Sequence, residues 1–138
     1  MKKLLFIIVF VFTIAMTGNS IEDKIYRIGK FYQPKGVKLD LGKVLVAICK
    51  AETNCKLHKR GKAGEIGPFQ IMQKYWHYPE ECLDDYECGA YVATQILLKY
   101  GFAKNPELAI CRYNMGYKAK DKCKYLEKIK RLIKEDKR

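Results

Sequence analysis

Six cysteines set the terms on which this chain can fold. They stand at 49, 55, 82, 88, 111 and 123 of 138 residues, with five residues between the members of each of the first two pairs and no C-x-x-C spacing. Zinc ribbon and finger patterns are therefore absent. With His58 and His77 as the only histidines, little is left for a zinc site, and no metal or cofactor is expected. An even cysteine count in an exported chain points to structural disulfides drawn from Cys49, Cys55, Cys82, Cys88, Cys111 and Cys123. The competing use is a Cys-His nucleophile. Six cysteines allow about fifteen pairings, and spacing does not choose among them. Geometry adds one condition: residues six apart in an unbroken helix lie about 9 Å apart along the axis, beyond disulfide reach. If Cys49 pairs with Cys55, the helix carrying Cys49 must stop between them.

Export is read from the N-terminus. Lys2 and Lys3 precede an apolar run of 13 residues, Leu4 to Met16, followed by Thr17, Gly18, Asn19 and Ser20. A charged start, a short apolar core and small residues before a cut at Ile21 describe a signal peptide over residues 1–20. The run falls short of the roughly 20 residues a spanning helix needs, so no membrane span is expected after cleavage. Removing the leader leaves residues 21–138 with all six cysteines and a net charge of 25 − 15 = +10. That length suits one domain, expected to be a monomer in the periplasm or outside the cell. Ser20 is the only serine, which argues against a Ser-His-Asp hydrolase.

The apolar periodicity is helical throughout, giving a mainly α fold. Ile25, Ile28 and Tyr32 space a first helix over about 21 to 32. Asp40 is placed to cap a second, with Leu41, Val44, Leu45 and Ile48 on one stripe. Residues 53 to 66 read as a loop, and Gly67-Pro68 as the opening of a short helix running to about Trp76. Asp85 caps a longer helix with Tyr86, Ala90, Ala93, Leu97 and Tyr100 in phase and Gly101 as its stop. Asn105-Pro106 opens another that Gly116 ends. A last helix, starting near Asp121, buries Leu126, Ile129 and Ile133 and turns Lys124, Lys128, Lys130, Lys134 and Lys137 to solvent.

Glu52 breaks the pattern informatively. It lies 11 positions after Leu41, and 11 steps of 100° bring it back to within about 20° of the same direction. A carboxyl on the apolar stripe above Leu45 and Ile48 loses hydration, and its pKa rises. It can then hold a proton near neutrality, as a general acid protonating a glycosidic oxygen must. The alternative is that the helix frays one turn early and leaves Glu52 as a solvated loop residue.

The blocks around Glu52 decide between these readings. Ala51-Glu52-Thr53 is followed, 18 residues after the glutamate, by the glutamine of GEIGPFQIM at 64–72, and later by CRYNMG at 111–116. In order and spacing these resemble the soluble lytic transglycosylase family, whose motifs run Glu-Ser, Gly-x-x-Gly-Leu-Met-Gln and Ala-Tyr-Asn-x-Gly. The similarity covers roughly residues 40 to 130. It implies a goose-type lysozyme-like fold and an enzyme acting without cofactor on peptidoglycan glycan strands, in the manner of small exported members that help secretion or pilus machines through the wall. Glu52 would be the single catalytic acid/base, with Thr53, Gln70, Tyr113 and Asn114 lining the substrate site. The implied reaction cleaves the β-1,4 bond between N-acetylmuramic acid and N-acetylglucosamine and closes a 1,6-anhydro ring.

Several residues depart from the family's pattern. Thr53 stands where serine is usual; it keeps a hydroxyl that can donate to the carboxylate. Pro68-Phe69 replace Leu-Met. Glu65 stands where a small residue is usual, and a second acid near the cleft would allow an inverting lysozyme-type hydrolase. Its other reading is a solvated loop residue. Trp76, Tyr75, Tyr78 and Tyr91 are candidates either for stacking on sugar rings or for packing. The excess charge, with Lys122, Lys124, Lys128, Lys130, Arg131 and Lys134 within 13 residues, admits a nucleic-acid or inactive wall-binding module as a rival. An exported chain, however, meets an anionic wall rather than DNA, so no nucleic acid is expected as a partner.

Overall fold

The computed structural model describes residues 20–138. The expected leader lies outside the described residues except for Ser20, which caps the first helix. Its hydroxyl accepts from the Asp23 backbone N–H at 3.1 Å and its own N–H donates to the Asp23 carboxylate at 3.2 Å. This reciprocal pair satisfies two donors that a helix start leaves orphaned. The helix, α1, spans Ile21–Phe31.

The second helix, α2, spans Leu41–Thr53, capped by Asp40, whose side chain accepts from the Lys43 N–H. Its surroundings exceed the single stripe expected: Gly42, Val46, Ala47 and Cys49 are buried along with Leu41, Val44, Leu45 and Ile48. Burial beyond one stripe means that neighbours cover most of the helix, leaving Lys43, Lys50 and its last turn only partly buried. The close approach of α1 depends on glycine, since a Cβ at Gly29 would sit 2.4 Å from the Gly42 α-carbon.

After α2 the chain departs from the expected helix at 67–76. A two-stranded antiparallel hairpin, β1 (Glu65–Ile66) and β2 (Ile71–Met72), pairs Glu65 with Met72 and Ile66 with Ile71. Between them residues 67–70 form a tight turn closed by the Gln70 N–H on the Gly67 carbonyl at 3.0 Å. Gly67 has φ +76 and Gln70 φ +50, left-handed values that a helix cannot contain. Only Gln73–Trp76, α3, is helical there. A further short helix that the periodicity did not reveal, α4, covers Glu80–Leu83.

The remaining helices are α5 (Tyr86–Lys99), α6 (Pro106–Met115) and α7 (Lys124–Glu135), with a single 3₁₀ turn at Gly116–Lys118. Asp85 and Asn105 cap α5 and α6 as expected. The last helix starts at Lys124 rather than near Asp121; Cys123 is its cap, and its sulfur accepts from the Leu126 N–H. α2 packs against α1, α5 and α7, and its Leu45 and Ile48 belong to one core with the fully buried Phe69, Phe102, Ile25, Leu97, Ile110 and Ile129.

The three disulfides are Cys49–Cys55, Cys82–Cys88 and Cys111–Cys123. The first meets the geometric condition. α2 ends at Thr53, Asn54 and Cys55 take φ +56 and +58, and the two α-carbons come within 4.8 Å. Three bridges are the usual use of cysteine outside a reducing cytosol. Among the described residues no helix is long and apolar enough to cross a membrane.

Candidate active site

The three sequence blocks meet at the turn 67–70. From α2, the Thr53 hydroxyl donates to the Pro68 carbonyl at 2.9 Å. From α6, the Tyr113 hydroxyl donates to the Phe69 carbonyl at 2.7 Å. Pro68 and Phe69 are buried, so these two hydroxyls satisfy carbonyls that water does not reach. Gly67 is required for the turn to seat against α4, because a Cβ there would lie 1.9 Å from the Leu83 carbonyl oxygen.

α2 stays helical through Thr53, which holds Glu52 on the stripe begun by Leu41 rather than in a loop. The side chain is half-buried. Burial pushes its carboxyl up to about 7; the Lys128 ammonium opposes this and the Glu65 carboxylate adds to it. Its place at the C-terminal end of a helix works in the same direction as burial, since backbone carbonyls there disfavour negative charge. The Lys128 ammonium is itself anchored to the end of α2, donating to the Ala51 carbonyl at 3.2 Å. It is therefore more than the solvent-facing charge expected from its place on α7.

Thr53 does not serve the carboxylate. Its single proton goes to the Pro68 carbonyl, while its oxygen accepts from the Lys56 N–H at 3.1 Å. The Gln70 amide nitrogen is likewise committed, to the Gly67 carbonyl at 2.9 Å, leaving Oε1 as the atom it can offer a ligand. Glu65 folds back on its own loop, its carboxylate accepting from the Ala63 N–H at 2.8 Å. It nevertheless remains close enough for its charge to reach Glu52.

Gln70, Tyr113 and Asn114 line one cavity of about 670 Å³, together with Tyr75, Trp76, Lys99, Tyr100, Met115, Tyr117 and Lys118 among others. Its aromatic wall is continuous: Trp76 meets Tyr100 edge-on at 5.6 Å between centroids, and Tyr100 meets Tyr117 at 5.0 Å. Of the aromatics singled out from sequence, Trp76 and Tyr75 are on this wall. Tyr78 packs against the core, and Tyr91 pairs with Tyr32 at 5.8 Å. Glu52 is not on the lining itself; its charge reaches the cavity's Tyr113.

Sequence reasoning missed Tyr125, as well as Tyr100 and Tyr117. The Tyr125 hydroxyl is buried without a hydrogen-bond partner. Burial, and next the Glu52 charge, push its phenol well above the ordinary value. A signal was present: Tyr125 and Lys128 are i, i+3 neighbours on α7, and such pairs share a face. Comparison with family models, with curated proteins and with solved structures found no match to the chain.

Proposed function

We propose that the protein is an exported peptidoglycan-cleaving enzyme of the lytic transglycosylase type, with Glu52 as its single acid/base. The observation that carries this reading is the Glu52 carboxyl itself, desolvated at the end of α2 and half-protonated near pH 7. Its own block and the third one pin the turn of the second, through Thr53 and Tyr113. A general acid works best with a pKa near the ambient pH, and an aromatic wall with convergent amides suits a sugar chain. The disulfides fit a periplasmic or extracellular location.

In this scheme protonated Glu52 gives its proton to the glycosidic oxygen between N-acetylmuramic acid and N-acetylglucosamine while the acetamido group of the muramoyl sugar assists at the anomeric carbon. The resulting carboxylate then takes the proton of the muramoyl 6-hydroxyl as that oxygen closes the 1,6-anhydro ring. Lys128 favours the carboxylate formed after the first transfer, and the charge of that carboxylate reaches the buried Tyr125 phenol. No second carboxylate is required, unlike the two-acid glycosidases.

The Glu65 charge at Glu52 favours a second reading, a hydrolytic lysozyme in which Glu65 leaves its loop contact to orient water. Mass spectrometry of muropeptides released from purified sacculi separates the two. Anhydro ends, abolished by Glu52→Gln and retained by Glu65→Gln, are the expected result. Reducing ends lost with either substitution identify the hydrolase, and release unchanged in Glu52→Gln removes Glu52 from the chemistry.

A further inference from the structure

A second cavity, of about 470 Å³, adjoins the first and shares Asn114, Met115 and Lys118 with it; Lys120, Lys122, Cys123, Lys124 and Tyr125 complete it. Four of its eight lining residues are lysines and none is acidic. Lys118, Lys120, Lys122 and Lys124 alternate along the segment joining α6 to α7, with Ala119 buried between the first two. Ala119 and Cys123 have extended backbones (ψ 146 and 157), and extended chain places alternate side chains on one side. Among the described residues none of the four lysines makes an ion pair. Lys130 and Lys50, by contrast, pair with Glu107 and Glu22. Asp121 lines a separate cavity with Glu107 and Glu127, which Lys122 and Lys124 also border.

The segment is held in place rather than free. The Cys111–Cys123 bridge ties it to α6, the Ala119 N–H donates to the Gly116 carbonyl at 3.1 Å, and the Cys123 sulfur caps α7. Four exposed like charges carried on one short, fixed segment around a hollow favour an anion among them. Tyr125 is among the residues lining the hollow, and Asn114, Met115 and Lys118 are shared with the aromatic cavity, so whatever occupies it adjoins the proposed sugar site. The aromatic cavity on the other side of Asn114 and Met115 carries only Lys99 and Lys118 as charges. The two arms differ in chemistry: one suits uncharged sugar faces, the other anionic groups.

We infer that the lysine arm binds the carboxylates of the peptide stems carried by the glycan strand, so that the enzyme selects peptide-bearing strands over stripped ones. This rests on the proposed function for its setting, and its test is built to fail separately. Cleavage is measured on intact strands and on strands freed of peptides by an amidase, with wild type and a Lys120→Gln, Lys122→Gln, Lys124→Gln triple variant. Binding of an acidic stem tetrapeptide is followed independently by NMR titration of both proteins at 20 and 200 mM salt.

The expected result is a roughly tenfold loss on intact strands for the triple variant, no further loss on stripped strands, and peptide binding that weakens with salt and with the substitutions. Equal cleavage of both strand types by both proteins overturns the inference and leaves the enzyme standing. Lysine-dependent peptide binding with no cleavage of any strand upholds the arm and sinks the enzymatic reading. Absence of both sinks both. A thermal melt of the triple variant matching wild type excludes misfolding; if it does not match, Lys120→Gln alone replaces it.

Discussion

The Thr53 hydroxyl donates to the Pro68 carbonyl at 2.9 Å across 15 residues of chain. The residue next to the candidate acid is thus a staple for the buried turn beneath Gln70, not a donor to the acid. Serine at this position preserves the bond, and valine keeps the shape while removing it. Thr53→Val strands the Pro68 carbonyl, costing about 1–2 kcal/mol, and loosens the turn that positions Gln70. Chemical denaturation should show that loss together with reduced wall cleavage, while Thr53→Ser stays close to wild type in both. A valine variant with full stability and activity would show that the bond positions nothing.

Glu52 exacts a stability cost that depends on pH. Its carboxyl titrates at about 7 in the folded protein against an ordinary 4.5. A raised acid keeps its proton in the folded state while the unfolded chain has released it, so Glu52 lowers stability as pH rises from about 4.5 to 7. Below that window the group is neutral in both states and neutral as glutamine. Glu52→Gln should therefore match wild type near pH 4 and exceed it at pH 8 by on the order of 3 kcal/mol, the value of 2.5 pKa units. Urea melts across that range measure the gap; a gap that is constant with pH would refute a desolvated carboxyl.

Much of this was legible in the sequence because it rests on local chemistry. The caps at Asp40, Asp85 and Asn105 and the stops at Gly101 and Gly116 are short-range hydrogen-bond and φ requirements, and all hold. Periodicity put Glu52 on the apolar stripe but left a frayed helix end open, a choice that the run of α2 through Thr53 closes. What escaped was tertiary. Gly67-Pro68 resembles a helix start until the neighbouring Leu83 carbonyl and the left-handed Gln70 are known. Thr53 and Gln70 looked available for substrate because their partners, carbonyls of a turn not foreseen, were out of view. Tyr125 was hidden within a basic helix whose lysines dominate its pattern.

Two tyrosines near Glu52 should respond oppositely to loss of a hydroxyl. Tyr113→Phe leaves the buried Phe69 carbonyl without its 2.7 Å donor and should cost about 1–3 kcal/mol. Tyr125 has no partner to lose, so Tyr125→Phe should be neutral or slightly stabilising. Its effect falls on turnover, slowed about tenfold because the carboxylate formed on proton donation loses a polar group within reach of its charge. Paired melts and initial rates on sacculi test the contrast. Equal stability losses in the two variants would mean that Tyr125 is an ordinary packing residue.

The charges flanking Glu52 set the pH at which it releases its proton, and they act in opposite directions. Lys128 stabilises the carboxylate and Glu65 destabilises it. Because the protonated form starts the reaction, kcat/KM should fall as pH rises through about 7 in the wild type. Lys128→Gln removes the favourable charge, so the acid holds its proton longer and the alkaline limb moves to higher pH. Glu65→Gln removes the like charge and moves the limb to lower pH, without changing the anhydro product. High salt should shrink both displacements where the groups face solvent. Rate profiles from pH 5 to 9 for the three proteins provide the measurement. Limbs that coincide, or move in the same direction, would place the titrating group elsewhere than at Glu52.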